Sequence, residues 1–217
     1  MIDLIRLSYE LATNVYHFSI HPYLVLGAAA IIILIIFLKF RSDFLPQTFE
    51  IDSIQLGVSE APKFTIKPNM EDVQIAYRLW VELKTRKIGL EIDYDNDVIV
   101  ELYNSWYEFF RITRELIKNI PASKIRKSED TRKLVNLAVD VLNTGMRPHL
   151  TMWQARFRRW YAQESEKEAN KNIAPQEIQK RFPEYNSLVE NMKKVNGNLI
   201  NYRKKLREIS MGKEEKV

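Results

Sequence analysis

The residues best suited to chemistry in this 217-residue chain form a short run of acids. Asp93, Asp95 and Asp97 stand at alternate positions, as carboxylates do at the start of a calcium-binding loop. Such a loop also needs a glycine at its sixth position and a bidentate glutamate at its twelfth, where this sequence has Val98 and Asn104. We therefore expect the acids to cap and stabilise the N-terminal end of the helix that follows, and not to bind a metal ion.

Other catalytic and metal-binding patterns are missing from the sequence. The chain has no cysteine, which excludes disulfides, thiolate zinc sites, iron–sulfur clusters and cysteine nucleophiles. Of its three histidines, His17, His21 and His149, the last stands beside Pro148 at an expected helix start. There is no glycine-rich phosphate loop, no HExxH motif and no serine in a nucleophile elbow. The sequence predicts a protein that is not an enzyme, with no catalytic residue, cofactor or metal.

Arginine and aromatic residues alternate along one predicted helix, a combination that can grip phosphates and stack on bases. The candidate anionic-contact residues are Arg147, Arg156, Arg158 and Arg159. The aromatic residues of the same helix share one face and suit a protein core, which would leave the arginines in solvent. Binding to anionic lipid and binding to nucleic acid are the two alternatives, of which nucleic acid is the less favoured.

Charge is divided unevenly along the chain. Residues 1–120 hold 12 Lys and Arg against 16 Asp and Glu, whereas residues 121–217 hold 21 against 12. The basic half could attract nucleic acid, anionic lipid or an acidic protein partner.

An apolar segment near the N-terminus predicts a membrane helix. Tyr23–Leu38 contains no charged or amide side chain, and extension to Ile20 and Phe40 gives a helix of roughly 30 Å, which matches the hydrocarbon core of a bilayer. A cleaved signal peptide would need a basic start and a small-residue cleavage site, and the sequence has neither. We expect an uncleaved transmembrane helix over residues 20–41.

Flanking charges predict the orientation of that helix. Lys39 and Arg41 follow it directly, whereas Arg6, before it, is offset by Asp3 and Glu10. The positive-inside rule then places the C-terminal domain in the cytosol of a single-pass inner (cytoplasmic) membrane protein. Lipid headgroups would be the polyanion nearest to the basic half.

Residues 1–19 form a short amphipathic segment with apolar residues at helical spacing. It is expected either to lie as a helix on the outer leaflet or to begin the membrane helix. The apolar positions are Leu4, Leu7, Leu11, Val15 and Phe18.

Residues 42–68 read as a linker and a small β-hairpin, with strands over 48–58 and 63–67 and a turn at 59–62. The phase of the first strand slips between Ile51 and Ile54, which indicates a bulge or an early strand end.

Residues 69–182 read as a helical bundle. Asn69, with Asp72 in the capping-box position, begins the first helix, and a longer helix follows Asp97 and ends at Pro121. Further helices are expected over 131–143, closed by Gly145 and Pro148, over 149–169, and briefly from Pro175, with a polar loop over 121–130.

Residues 183–217 form a long basic helix and tail with a continuous heptad pattern. This pattern fits either a helix packed within its own chain or an intermolecular coiled coil. The candidate helix–helix interface consists of Tyr185, Leu188, Met192, Val195, Leu199, Tyr202, Leu206 and Ile209.

The sequence thus predicts a mainly α protein: a transmembrane helix, a small β-hairpin, and a cytosolic helical bundle that ends in the heptad-patterned helix. The function that we expect is non-enzymatic: a membrane-anchored scaffold, regulatory or effector subunit that binds membrane lipid and a protein partner or further copies of itself. The alternatives are a membrane-tethered module for nucleic acid or anionic lipid, and a membrane-disrupting effector of the abortive-infection type.

Overall fold

The computed structural model describes residues 5–10, 15–43, 48–52, 55–56 and 63–212. The chain forms two compact units, Met1–Pro46 and Gln47–Val217, and most described residues are helical. The mainly helical class predicted from the sequence is confirmed.

The first unit begins with an antiparallel β-hairpin. Strands β1 (Ile5–Glu10) and β2 (Val15–Ile20) pair from Ile5 opposite Ile20 to Glu10 opposite Val15. The helical conformation predicted for residues 1–19 is therefore wrong for the described residues 5–10 and 15–19. Apolar and polar residues also alternate with a period of two here, and β-branched and aromatic residues favour the extended state.

Helix α1 (Pro22–Asp43) follows the hairpin after the single residue His21. It begins two residues later than predicted because Ile20 belongs to β2, and proline suits the first turn of a helix. Its apolar side chains from Tyr23 to Leu38 are exposed. Among the described residues, no helix combines the length and the apolar character needed to cross a membrane, so the transmembrane part of the prediction is not supported.

The second unit opens with the predicted β-hairpin, which is confirmed in a shorter form. Strands β3 (Phe49–Ile51) and β4 (Phe64–Ile66) are antiparallel, with Phe49 opposite Ile66. β3 ends at Ile51, as the slip in its phase indicated. The predicted turn at 59–62 lies outside the described residues. Because Phe49, Ile51 and Ile66 are buried, this hairpin is part of the hydrophobic core of the unit.

Helices form the rest of the second unit, and their bounds mostly follow the predicted pattern. The described helices are α2 (Met70–Thr85), α3 (Ile99–Lys118), α4 (Ala122–Lys127), α5 (Glu129–Asp140), α6 (Arg147–His149), α7 (Ala155–Ser165), α8 (Pro175–Gln179) and α9 (Tyr185–Met211). The segment 121–130, predicted as a loop, contains α4. A single 3₁₀ turn at Glu168–Asn170 follows α7.

The predicted break at Gly145 and Pro148 is wrong. The chain stays helical from Glu129 to Ser165 because two π-helical segments, Val141–Met146 and Leu150–Gln154, flank α6. A π-helical turn is wider than an α-helical one and shifts the hydrogen-bond register. Pro148 lies inside this continuous helical stretch, in the short α6 between the two π-helical segments.

The helix starts of α2 and α5 are joined by one buried hydrogen-bond network. Asn69 caps α2, and Asp72 completes the predicted capping box by accepting from the Asn69 backbone N–H at 3.1 Å. The same carboxylate, 1% exposed, accepts a 3.1 Å hydrogen bond from the hydroxyl of Thr131, in the first turn of α5. Ser128 caps α5 by accepting from the Thr131 backbone N–H.

Helix α3 is capped by a residue distant in sequence. Its N-cap position is Val98, and the expected capping by the acids of 93–97 is wrong. Instead the buried side chain of Gln179, in α8, accepts from the Ile99 backbone N–H at 2.8 Å and donates to the Asp97 carbonyl at 3.0 Å. One side-chain amide of α8 thus satisfies both the Ile99 N–H and the Asp97 carbonyl, and so fixes where α3 begins.

Helix α9 packs chiefly against α2, with its heptad face inward. Seven of the eight predicted interface residues are buried in the core, and Tyr185 is half-buried. The apolar seam is therefore occupied within the chain, which is the intramolecular alternative.

A buried amide fixes the centre of α9 to the turn between α2 and α3. Asn196, 5% exposed, donates two hydrogen bonds of 2.9 Å, to the carbonyls of Ile88 and Leu90. Gly89 between them is buried, and a Cβ there would lie 2.3 Å from the Leu83 carbonyl oxygen. The turn therefore needs both the glycine and the asparagine.

We predict that Asn196→Ala lowers the free energy of unfolding by about 2–4 kcal/mol, because two core-facing carbonyls lose their donor. Asn198→Ala, two residues further along the same helix, is the matched control and should change it by about 0.5 kcal/mol or less. Urea unfolding of the full chain in detergent, followed by circular dichroism, measures both. Equal losses in the two variants would contradict the role of Asn196.

Candidate functional site

The candidate site suggested by the sequence is the arginine–aromatic segment, residues 147–161, which runs through α6, the second π-helical segment and α7. Its aromatic residues contribute to the core. Trp153 and Phe157 are buried, and Trp160 and Tyr161 are half-buried. Phe157 and Trp160 both make edge contacts with Phe182, at ring-centre distances of 5.3 and 5.2 Å. The buried rings of Trp153 and Phe157 are not available to stack on a nucleic-acid base.

The candidate arginines are directed to different parts of the same unit. Arg147 donates to the Asn143 side-chain oxygen at 3.1 and 2.9 Å and lies over the Phe110 ring. Arg158 donates to the Asn104 side-chain oxygen, in α3, at 2.7 Å. Both arginines are thus held by intramolecular polar contacts.

The other two arginines face more open surface. Arg156 forms an ion pair with Glu184, just before α9, and lies over the Trp153 ring at 5.4 Å. Arg159 is exposed. The partners of Arg147, Arg156 and Arg158 thus lie on different elements of the unit.

Sequence reasoning missed a buried polar cluster around His149. The ring is 2% exposed, and its Nδ1 lies 2.6 Å from the Asn191 side-chain oxygen, in α9. Since that oxygen can only accept, Nδ1 carries the proton, and Nε2 accepts from the Tyr103 hydroxyl at 3.1 Å. His149 therefore joins α3 to α9 through its two ring nitrogens.

Burial lowers the pKa of His149, and the hydrogen bond to Asn191 opposes this shift only in part. Burial also raises the pKa of Tyr103, which keeps its hydroxyl protonated. The Trp106 ring centre lies 5.3 Å from the imidazole centre. The sequence did carry one signal: His149 precedes Trp153 and Phe157 at steps of four residues, so it lies on the same inward stripe.

The acidic run at 93–97 closes its own loop. Asp93 accepts from the backbone N–H of Asp95 and from both the backbone and the side chain of Asn96. The side-chain bond from Asn96 is the main reason why the pKa of Asp93 is lowered. Asp97 pairs with Lys87 at 2.9 Å. Over the ranges that the structure describes, no group of three or more histidine and acidic side chains is arranged to hold a metal ion.

A charged cleft of about 850 Å³ lies between the β3–β4 hairpin and the C-terminal half of α9. Asn201 joins its walls by donating to the Gln55 carbonyl at 3.1 Å. Lys63 lies 3.7 Å from Glu50, and Lys205 lies 2.6 Å from Glu208. The lining residues are Glu50, Asp52, Gln55, Leu56, Lys63, Asn201, Lys204, Lys205, Arg207 and Glu208.

The lining of this cleft is polar and of mixed charge. Acids and bases alternate around it, and Lys204 is exposed. No local sequence pattern indicates this cleft, because its two walls are about 140 residues apart in the chain. Such a surface suits a polar, partly charged protein segment.

The chain was compared with protein families, curated proteins and solved structures. No protein-family model, no curated protein and no solved structure matches the chain.

We predict that acidification destabilises the protein through His149. The unfolded histidine titrates near pH 6.5 whereas the buried one titrates lower, so the unfolded state binds more protons as the pH falls. The free energy of unfolding should therefore fall from about pH 7 towards pH 5, by at most about 1.4 kcal/mol per pH unit for one proton.

The measurement is urea unfolding of the full chain at several pH values, compared with His149→Gln, which retains hydrogen-bonding capacity but does not titrate. His17 and His21 are the same in both proteins. The variant should have the shallower pH dependence, and identical slopes would contradict the assignment.

Proposed function

We propose that this chain is a membrane-anchored helical protein in which α1 lies in lipid and the unit Gln47–Val217 binds another protein. The exposure of α1 is the observation that carries the proposal. From Tyr23 to Leu38 its large apolar side chains are 36–70% exposed, and they lie on all sides of the helix. A helix that is apolar all round suits a hydrocarbon environment, whereas a helix on a protein surface has one polar face.

This placement requires the ends of α1 to adapt, because the helix alone does not combine the length and the apolar character needed to cross a membrane. The apolar run Tyr23–Leu38 has 16 residues and covers about 24 Å, short of a hydrocarbon core of about 30 Å. The complete helix has 22 residues and covers about 33 Å. Lys39 and Arg41 have long aliphatic stems that can extend to the interface, and local thinning of the bilayer costs only fractions of a kcal/mol per Å.

We further propose the orientation indicated by the flanking charges. Lys39 and Arg41 lie at the C-terminal end of α1, and the positive-inside rule puts this end in the cytosol. The protein would then be a single-pass protein of the inner (cytoplasmic) membrane with a cytosolic C-terminal unit.

Protein binding, and not catalysis, is the role that we propose for the second unit. Its buried polar side chains Asp72, His149, Gln179 and Asn196 all make hydrogen bonds that join elements of the fold. Their bonds explain their burial without a substrate. The charged cleft between β3–β4 and α9 is the surface that we assign to the partner, which can be a different protein or a second copy of this chain.

Binding of nucleic acid or anionic lipid by the arginine–aromatic segment has less support. Three of its four arginines already contact Asn143, Glu184 or Asn104, and its rings lie in or against the core.

We predict that the protein stays in the membrane pellet after an alkaline carbonate wash, and that Ile31→Lys with Ile35→Lys abolishes this. Each lysine near a helix centre opposes insertion by about 2.5–3.5 kcal/mol. Met70→Lys with Met211→Lys is the control, because both residues are exposed apolar side chains of the second unit. Release of the unaltered protein by carbonate would overturn the anchor.

We predict that a photo-crosslinking phenylalanine in place of Lys204 gives a discrete adduct in native membranes. The same replacement of Lys127, an exposed lysine that does not line the cleft, is the control and should give none. An adduct of twice the chain mass indicates self-association, and a smaller or larger one indicates a different protein. No adduct at Lys204, or equal adducts at both positions, would contradict the assignment of the cleft.

A further inference from the structure

A second cavity, of about 520 Å³, lies between the second π-helical segment and α9. Its volume is within the range of small-molecule sites. Trp153, from the π-helical segment, forms one wall. The other wall is a single stripe of α9, since residues three and four positions apart share a helix face. This stripe consists of Ser187, Glu190, Asn191 and Lys194.

Asn191 brings a hydrogen-bond donor of fixed direction to this cavity. Its side-chain oxygen accepts from Nδ1 of His149 at 2.6 Å, so its amide nitrogen cannot also point at the imidazole. That nitrogen makes no hydrogen bond to any residue within the described ranges. The buried His149 thus orients two N–H groups on a residue that lines the cavity.

Two opposite charges flank the Asn191 amide without pairing. Glu190 and Lys194 are four residues apart on α9, a spacing at which opposite charges commonly interact. Neither side chain makes an ion pair or a hydrogen bond with any residue that the structure describes. The cavity therefore has one carboxylate and one ammonium that are available to a ligand.

Trp153 supplies an apolar wall that is held in place. Its ring is 5% exposed, and Arg156, paired with Glu184, lies over it. Its indole N–H is buried and has no acceptor in the described part of the chain. Buried donors without a partner are rare, and π-helical turns frequently occur at functional sites. Both features belong to a residue that lines a cavity, which indicates a binding site.

We propose that this cavity binds a free α-amino acid in its zwitterionic form. The ligand carboxylate accepts hydrogen bonds from the Asn191 amide, the Lys194 ammonium and the Ser187 hydroxyl. The ligand ammonium lies at the Glu190 carboxylate, and the ligand side chain packs against Trp153. The proposal goes beyond the proposed function, whose protein partner binds at the cleft beside β3–β4.

The two charges of the cavity select this class of ligand. An anion attracted by Lys194 is repelled by Glu190, and a cation attracted by Glu190 is repelled by Lys194. A ligand that carries both charges satisfies both side chains at once. In a free α-amino acid these charges are separated by a single carbon atom, whereas in a longer peptide they lie on different residues. Contact with the indole ring favours a ligand with an apolar or aromatic side chain.

Equilibrium dialysis of the full chain in detergent tests the proposal. The protein is dialysed against an equimolar mixture of the twenty standard amino acids, and those retained with it are identified by chromatography. Detergent micelles without protein are the blank, because apolar amino acids partition into them. We expect at least one apolar or aromatic amino acid to be retained above the blank. Retention of none would overturn the proposal.

Analogues of the retained amino acid show whether both charges are recognised. The N-acetyl derivative lacks the ammonium, and the α-amide lacks the carboxylate. Each should bind about ten- to hundredfold more weakly than the zwitterion, because each loses a hydrogen bond between charged groups. An analogue that binds as tightly as the zwitterion would contradict the proposal.

Variants of the cavity locate the site. Glu190→Gln and Lys194→Met should each weaken binding of the zwitterion by a similar factor. Lys193→Met is the matched control, since Lys193 is exposed but does not line the cavity, and it should leave binding unchanged. The N-acetyl derivative should bind Glu190→Gln as well as it binds the unaltered protein, because its contact with Glu190 is already missing.

The substituted side chains are exposed, so the variants should keep the circular dichroism spectrum of the unaltered protein. Equal binding of the zwitterion by the three variants would place the ligand elsewhere and overturn the proposal. These outcomes do not depend on crosslinking at Lys204 or on the anchoring of α1. The proposed function and this ligand site therefore fail or stand separately.

Discussion

The turn between α2 and α3 depends on one amide, and much of the second unit depends on that turn. The carbonyls of Ile88 and Leu90 face the interior, where an unpaired acceptor would cost about 1–3 kcal/mol each. Asn196 supplies both donors from the middle of α9. Because α2 already packs along α9, this clamp fixes the longitudinal position of one helix relative to the other and sets the direction in which α3 leaves the turn.

Other buried polar side chains also make hydrogen bonds to two groups where the chain changes direction. Gln179 serves both the N–H of Ile99 and the carbonyl of Asp97, and Asp72 serves both Asn69 and Thr131. Each of these polar side chains is almost fully buried and joins segments that are far apart in sequence. Apolar packing brings the helices together but is not directional, whereas these hydrogen bonds have one geometry. They therefore select one arrangement of the helices among those that would bury the same apolar area.

Features governed by local pattern could be predicted from the sequence. The capping box at Asn69 depends on residues three positions apart, and β3, β4 and α9 each follow the apolar period of one continuous segment. The predictions that failed needed information from elsewhere. Asp97 was expected to cap α3, but Gln179, 80 residues beyond Ile99, does so. Pro148 was expected to end a helix, but two π-helical segments let the chain continue because the core on both sides of His149 requires it.

The candidate site illustrates the same limit. The arginines were recognised by their spacing, but their partners Asn104 and Glu184 lie 54 and 28 residues away, and no local pattern indicates them. The helix predicted at the N-terminus failed for another reason. The apolar residues of 1–19 fit a helical period and a strand period at once. Only the pairing of Leu7 with Phe18 shows which period applies.

The two units place their apolar side chains in opposite ways, and the proposed function depends on this difference. Gln47–Val217 buries its large apolar residues against one another, so its core needs nothing from outside. In Met1–Pro46, by contrast, the large apolar side chains of α1 from Tyr23 to Leu38 are exposed. The proposed lipid anchor rests on these exposed side chains of α1. The proposed partner site lies on the surface of the second unit. The roles that we propose for the two units, an anchor in lipid and a partner-binding surface, rest on where each unit has placed its apolar residues.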